Sequence, residues 1–395
     1  MMKLTFRKRI SYNPDIVFET YKNLNKQEVK KVKKKLLAVC FAVILCITSL
    51  GMSSIAFAGG AEPTGTTMYG LPKPNVLDVE PEKQIRVIVD GDIACEFDDL
   101  FACAYALMSP KFDVVGLCAE QWGTMWSETS MQDGYDELVK LTDAMGIEGV
   151  PICHGAVNAI IENEDGTYTW ESNEASDLMY EEAMKEDERP LVVIVTGTMT
   201  NVAIAYLEHP EIAEQEFYII GNSLPTGGWD FNLGNDCVAT NICFDSNMEW
   251  YLNGGAGEAT FKCSSTELYN HLKNTGAVGE YLWNRAMWAE GELKSRIAAD
   301  IAMGFVGQGL NTLELKSYYP NGEIFEFGDF YAVARALSLG YTEFTEVDSS
   351  HLLSMVGGLD PTYVPTRKMK QCSTPIDINC YLQDFFEKLE YYFGE

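Results

Sequence analysis

Histidine is scarce in this chain. Four occur in 395 residues: His154, His209, His271 and His351. Histidine is the usual side chain for proton transfer near neutral pH, so that role has few takers here. Paired cysteines are also lacking. Cys40 and Cys46 lie in an N-terminal apolar segment, which leaves an odd set of nine, and no Cys-x-x-Cys occurs. Neither a zinc ribbon nor a disulfide framework is signalled. Several of the nine sit in apolar runs, as small core residues do; Cys372 and Cys380 are spaced to bridge a C-terminal loop. Positive charge is the third shortage. Of 29 Lys+Arg, 11 fall within residues 1–58, leaving 18 against 55 of the 58 Asp+Glu, a formal −37 over residues 59–395. Such a surface repels phosphate polymers and argues against a nucleic-acid partner, while suiting cations and small neutral substrates.

The basic excess at the start has its own pattern. A Lys-rich run (Lys30 to Lys35) precedes the uncharged apolar stretch Leu36 to Leu50, then small residues and Ala56-Phe57-Ala58. That order is a positive n-region, an h-region and an Ala-x-Ala cleavage site. The apolar stretch is short of the roughly 20 residues of a membrane span. Residues 1–58 are therefore expected to be a signal peptide, or, since the n-region is long, an uncleaved anchor. The protein is expected to be secreted, or to touch a membrane only through that segment and face outward. Residues 59–84, rich in Gly, Pro and Thr, read as a linker or arm, and residues 85–395 as one domain.

From Ile85 the pattern alternates strand, loop and helix. Apolar runs at Ile85–Val89, Phe112–Cys118, Val150–Gly155, Pro190–Val195 and Phe217–Ile220 read as strands. Leu100–Met108, Tyr135–Met145, Ala175–Lys185 and Thr200–Leu207 read as helices. This predicts an α/β fold, a mainly parallel, Rossmann-like open sheet with helices on both faces. The second half is less regular. Helices are expected at Met248–Leu252, Thr266–Lys273, Glu280–Met303 and Asp329–Leu337. Gly304–Glu326 reads as a long irregular connection, and Tyr381–Phe393 as an amphipathic helix docking on the sheet.

The stretch Val87-Ile-Val-Asp-Gly-Asp-Ile-Ala-Cys-Glu-Phe-Asp-Asp99 organises the chain. A buried strand runs into a loop holding Asp90, Asp92, Glu96, Asp98 and Asp99. Five carboxylates at the carboxyl end of a strand repel one another unless a cation neutralises them, and hard divalent cations take such oxygen ligands. The competing reading is a solvated acidic loop in which Asp98 or Asp99 caps the helix. Three further strand-end or helix-start segments stand out. Val195–Asn201 offers exposed carbonyls or a Thr-capped helix start. Gly227–Asp236 mixes amides, carboxylates and aromatics as a polyol-binding loop would. Asp329 opens the last buried helix, as a ligand or a plain N-cap.

These segments resemble the inosine–uridine-preferring nucleoside hydrolase family. The family's Asp-x-Asp-Pro-Gly-x-Asp-Asp loop is matched by Asp90 to Asp99, two residues longer, as in a divergent branch with an Ile-Gly-Asn-Glu-type insert (here Ile93-Ala94-Cys95-Glu96). Val114-Val115-Gly116-Leu117 resembles its Val-Val-Gly-Ile strand. Thr196 to Asn201 resembles its Thr-Gly-x-Leu-Thr-Asn turn, and Asp230-Phe231-Asn232 with Asp236 and Ala239 its Glu-Phe-Asn segment. The matches run in order from about 85 to 340. The resemblance implies Ca²⁺ held by Asp92, Asp99, the Thr196 carbonyl and Asp329. Asp92 would double as general base for the attacking water. Asp98 would bind a ribose hydroxyl, with Asn232 and Asp230 across the sugar, while Asp90 would stand behind the metal. Homo-oligomers are implied by analogy, and a nucleoside or related glycoside is the implied partner.

Three departures qualify the resemblance. Asp230 replaces a Glu, shortening that arm. Gly123 stands where a sugar-contacting Asn is common, with Gln121 near enough to substitute. Gly328 replaces the His that in some members protonates the leaving base. His154 follows a strand near the site but reads better as a turn residue, and His209 lies exposed at a helix end. Trp122, Trp126, Trp170 and Trp229 lie in nearby loops and are platforms or packing. A weakly catalytic Ca²⁺-dependent sugar-binding protein on the same fold is thus the second reading. A haloacid-dehalogenase-type phosphatase is the third, from the Asp-Gly-Asp strand end, although its Asp-Gly-Thr continuation is missing.

Overall fold

The computed structural model describes residues 79–124, 127–223, 231–253, 261–288, 323–354 and 358–394. In chain order the strands are β1 (Ile85–Gly91), β2 (Phe112–Ala119), β3 (Ile152–His154), β4 (Ile161–Glu162), β5 (Tyr168–Thr169), β6 (Leu191–Val195) and β7 (Phe217–Ser223). They continue with β8 (Glu249–Asn253), β9 (Phe261–Ser264), β10 (Ile324–Phe327), β11 (Phe344–Asp348), β12 (Leu352–Ser354), β13 (Gly358–Leu359) and β14 (Lys368–Cys372). The helices are α1 (Asp98–Met108), α2 (Ser130–Met145), α3 (Glu174–Ala183), α4 (Thr200–Glu208), α5 (Phe231–Asn235), α6 (Cys237–Asp245) and α7 (Ser265–Leu272). After them come α8 (276–288), α9 (Phe330–Ser338) and α10 (Ile378–Phe393).

Eight strands form the main sheet in the order β11-β14-β8-β7-β6-β1-β2-β3. Every neighbouring pair is parallel except β11 with β14. The chain steps from β1 outward to β2 and β3, then returns to β6 on the other side of β1. The gap between β1 and β6 is therefore the switch point where open α/β sheets place their sites.

Alternation along β1 feeds two cores. Val87 and Val89 face one layer and Ile88 the other, as the two-residue strand period requires. The first layer holds α1, α2, α7 to α10 and the antiparallel pair β9–β10. In α1 every residue is buried, the behaviour of a helix apolar all round. The second layer holds α3, α4 and α6 against the opposite face.

Three expectations are corrected. Glu249–Asn253 is a strand, not a helix: Trp250 and Leu252 alternate into one layer while Tyr251 packs against the other, and β7 pairs alongside. Ile324–Phe327, inside the expected irregular connection, pairs antiparallel with β9. Residues 304–322 of that connection, and 289–303 of the expected helix before it, lie outside the described residues. The C-terminal helix docks on α1 rather than on the sheet, because Phe385 meets Phe101, Tyr105 and Phe330. Cys372 and Cys380 are both free thiols, one buried and one exposed.

Phe385 is fully buried in that aromatic cluster. Phe385→Ala should cost about 3–5 kcal/mol, read as a lower urea midpoint at unchanged slope.

Candidate active site and metal centre

Aromatic packing brings two helix starts together. Phe97 and Phe101 lie edge-on to Phe327 at 5.3 and 5.1 Å, and Tyr105 stacks on Phe330 at 4.7 Å. The first turn of α1 carries Asp98 and Asp99, and Asp329 directly precedes α9. The three carboxylates each place an oxygen within 4.8 Å of the others. The Asp329 N–H donates to Asp98 Oδ2 at 3.1 Å, fixing one start against the other. Neither helix uses these acids as caps: the α1 and α9 starts have no side-chain cap hydrogen bond. Thr200 likewise follows an uncapped start at Met199. The capping readings are therefore not what the structure shows.

The strand ends complete the arrangement. Thr196 follows β6, its N–H donates to the Asp90 carbonyl at 2.9 Å, and its hydroxyl donates to Asp99 Oδ1 at 2.6 Å. Asp92 is buried in the loop after β1, where its carbonyl accepts from Cys95 N–H at 2.7 Å. Two glycines permit this closeness. A Cβ on Gly91 would strike the Thr196 hydroxyl and the Asp99 carboxylate. One on Gly197 would strike Glu120 and the Asp92 backbone.

The electrostatics are those of crowded, buried acids. Burial pushes Asp99 well above the usual carboxylate range, and the Asp92 and Asp98 charges push it further. Asp329 is raised in the same way, by burial and then by Asp99, Asp98, Asp92 and Glu96. Asp98 is raised by burial, partly offset by the amides it accepts from. A divalent cation fits: the donors are hard oxygens only, and the charges acting on Asp329 are all carboxylates. Asp98, Asp99 and Asp329 are the carboxylates grouped closely enough to hold one.

Beneath this cluster lies a second polar layer. Asp90 Oδ1 accepts from the Asn201 amide at 2.9 Å, and Asn201 Oδ1 accepts from Ala156 N–H at 2.8 Å. Burial raises Asp90 to about 6. Glu120, fully buried, is pushed well up by burial and by the charge of its hydrogen-bonded neighbour Asp90. Glu120 was not anticipated; its only signal is an acid ending an apolar strand. Asp236 was seen only as a motif position. It accepts from Ile160 N–H, Thr200 Oγ1 and Ala239 N–H, each at 2.9 Å, and so ties three segments together.

Other expected residues are placed differently. The Gln121 amide donates to Thr200 Oγ1 at 3.1 Å and its carbonyl accepts from Gly123 N–H at 2.6 Å, so both ends serve internal bonds. The Asn232 amide donates to the Thr196 carbonyl at 2.6 Å, onto a candidate cation ligand rather than an open sugar face. Trp122 is buried against Ala94, Cys95 and Phe231, packing the loop insert. Trp170 donates to Glu208. His154 pairs with Glu174 at 2.8 Å and stacks on Tyr135, and His209 stacks on Tyr180. Asp230, Trp126 and Trp229 lie outside the described residues. Gly328 is exposed, and a Cβ there would meet only Asp98 Oδ2 at 3.5 Å.

An acidic cluster that could hold a cation, at the switch point of a parallel sheet, defines the class. Residues 87–353 match the family described as inosine-uridine preferring nucleoside hydrolase. The chain belongs to that family, which sets aside the phosphatase reading. A pyrimidine-specific ribonucleoside hydrolase RihA of Escherichia coli O1:K1 is 25% identical over 181 residues, 40% of this chain and 56% of the relative. A RihA of Salmonella paratyphi B is 24% identical over 194 residues, 43% of this chain and 60% of that protein. The chain thus spans little more than half the length of the curated relatives it matches. A purine-preferring ribonucleoside hydrolase from Gardnerella vaginalis shares the fold (TM-score 0.56, 19% identity, 78% of this chain and 98% of that one).

A chelator should lower the melting temperature, and a divalent cation should restore it, by about 2.7 kcal/mol at a hundredfold excess over Kd. Asp99→Asn should abolish the restoration; a cation-independent melting curve in the parent chain would disprove the centre.

Proposed function

We propose that this chain hydrolyses the N-glycosidic bond of a ribonucleoside or a related ribosyl glycoside, with Ca²⁺ as the resident ion. The observation that carries this reading is the convergence of Asp98, Asp99 and Asp329, from the starts of two helices, beside Thr196 at the switch point. Asp92, Asp99, Asp329 and the Thr196 carbonyl would hold the ion, and Asp98 would accept a hydrogen bond from a ribose hydroxyl. A bound Ca²⁺ supplies Lewis acidity, lowering the pKa of water and orienting a sugar diol. Asp92 then takes the proton of the attacking water as general base. The surrounding carboxylates favour positive charge on the sugar ring as the bond breaks, as in O-glycoside cleavage. Asp230 and Asn232 would line the sugar from the far side once Asn232 leaves the Thr196 carbonyl.

Export through residues 1–58 and a homo-oligomeric state belong to the same proposal. Among the described residues no helix is long and apolar enough to cross a membrane.

A second reading, a Ca²⁺-dependent sugar-binding protein with weak turnover, is favoured by Gly328 in the place of a proton donor and by the internal bonds of Gln121 and Asn232. A reducing-sugar assay separates the two. Purine, pyrimidine and nicotinamide ribosides are offered with and without EDTA. Chelator-sensitive release that falls about 10²–10⁴-fold in Asp92→Ala supports the hydrolase. Ca²⁺-dependent ribose binding without release moves the assignment to the binding protein.

The space at Gly328 makes a further expectation. Gly328→His should raise kcat on nucleosides with basic leaving groups, by up to about 10²-fold, leaving KM little changed. No gain on any base would show that this position does not face the departing group.

A further inference from the structure

Cys118 and Cys153 are register partners on the adjacent parallel strands β2 and β3. Both side chains enter the layer of α3 and α4. The two thiols act on one another, Cys118 being raised and Cys153 lowered from the ordinary thiol range. Neighbouring strands lie about 4.8 Å apart, inside the range of roughly 4.4–6.8 Å between Cα atoms that a disulfide spans. Register partners on adjacent strands therefore meet the Cα spacing that a disulfide requires.

We propose that Cys118 and Cys153 form a reversible cross-strand disulfide when the chain meets a disulfide donor such as glutathione disulfide. Cys153 is the entry point. It lies on the outermost strand of its edge and keeps 8% of its surface accessible, whereas Cys118 keeps none. Cys118 also pulls the Cys153 thiol below its ordinary pKa, which favours the attacking thiolate. The Cys153 thiolate attacks one donor sulfur and releases one glutathione thiolate. Cys118 then attacks the Cys153 sulfur of the mixed disulfide, its proton passing to solvent, and expels the second. Two protein thiols and one donor disulfide become one protein disulfide and two donor thiols.

The bond would act on the polar layer beneath the acidic cluster. Cys118 is itself the register partner of Asp90 on β1, and β3 leads into Ala156, whose N–H is held by the Asn201 that also holds Asp90. The bridge would close the chain between residues 118 and 153, removing conformations from the unfolded state. It would therefore fasten the short edge strand on which one wall of that layer depends.

The test is peptide mapping of the full chain after incubation with glutathione disulfide, acid quench and alkylation in denaturant. Trypsin cuts after Lys111, Lys140 and Lys185, so each of the two cysteines sits alone in its peptide. The expected result is a linked pair, 112–140 with 141–185, two hydrogen masses lighter than the separate peptides. It should split on dithiothreitol, be missing in Cys153→Ser, and accompany a higher melting temperature than the reduced protein shows. Both peptides fully alkylated and unlinked, or glutathione found only on the exposed Cys380, would overturn the proposal. The parent-chain map decides this even if the variant fails to fold.

Discussion

The structure depends on holding like charges together. Asp98, Asp99 and Asp329, with Asp92 beside them, are packed where water is scarce, and each raises the cost of ionising the next. Nothing in the acids themselves favours this. The restraint is apolar: Phe97, Phe101 and Tyr105 on one side and Phe327 and Phe330 on the other lock the start of α1 to the start of α9. Burial of these rings contributes far more than a single carboxylate repulsion takes away, since each removes about 150–250 Å² from water. The partial positive ends of two helices offset some of the rest. What remains is the affinity for a cation.

That arrangement also rests on a polar layer below, in which several segments are tied together. Asp90, Asn201, Thr200 and Asp236 link β1, the segment after β3, α4 and the start of α6 through short hydrogen bonds. A loop carrying ligands on both sides of a switch point has to be supported from beneath, or its carboxylates would swing apart. Gly91 and Gly197 set the closeness of that support, because a single methyl at either place would meet the groups it is meant to bring together.

Much of this was legible in the chain. The strands from Ile85 to Ile220 are mostly apolar runs bounded by turns, and a buried parallel sheet imposes that pattern. The acidic loop and Thr196 were legible because strand ends carry sites in such sheets, and Asp329 because it opens a buried helix. Met248–Leu252 was misread because a five-residue apolar run has no period of its own; pairing with β7 decides it, and that information lies thirty residues away. The α6 helix was hidden behind Asp236, which reads as loop until its capping bond to Ala239 is seen. Gln121 and Asn232 were expected to face a sugar from their type and place. In the assembled structure their amides make internal hydrogen bonds, which the sequence does not reveal. Glu120 gave almost no signal, since a lone acid after a strand is ordinary until its neighbours are known.

Gly328 has a consequence for what kind of substrate such a centre would favour. With no side chain there to deliver a proton, the burden of departure shifts onto the aglycone. Rates across a series of glycosides would then track the basicity of the departing ring nitrogen steeply, and shape complementarity around the base would count for less. Selectivity of this sort is written in the substrate's own electronics.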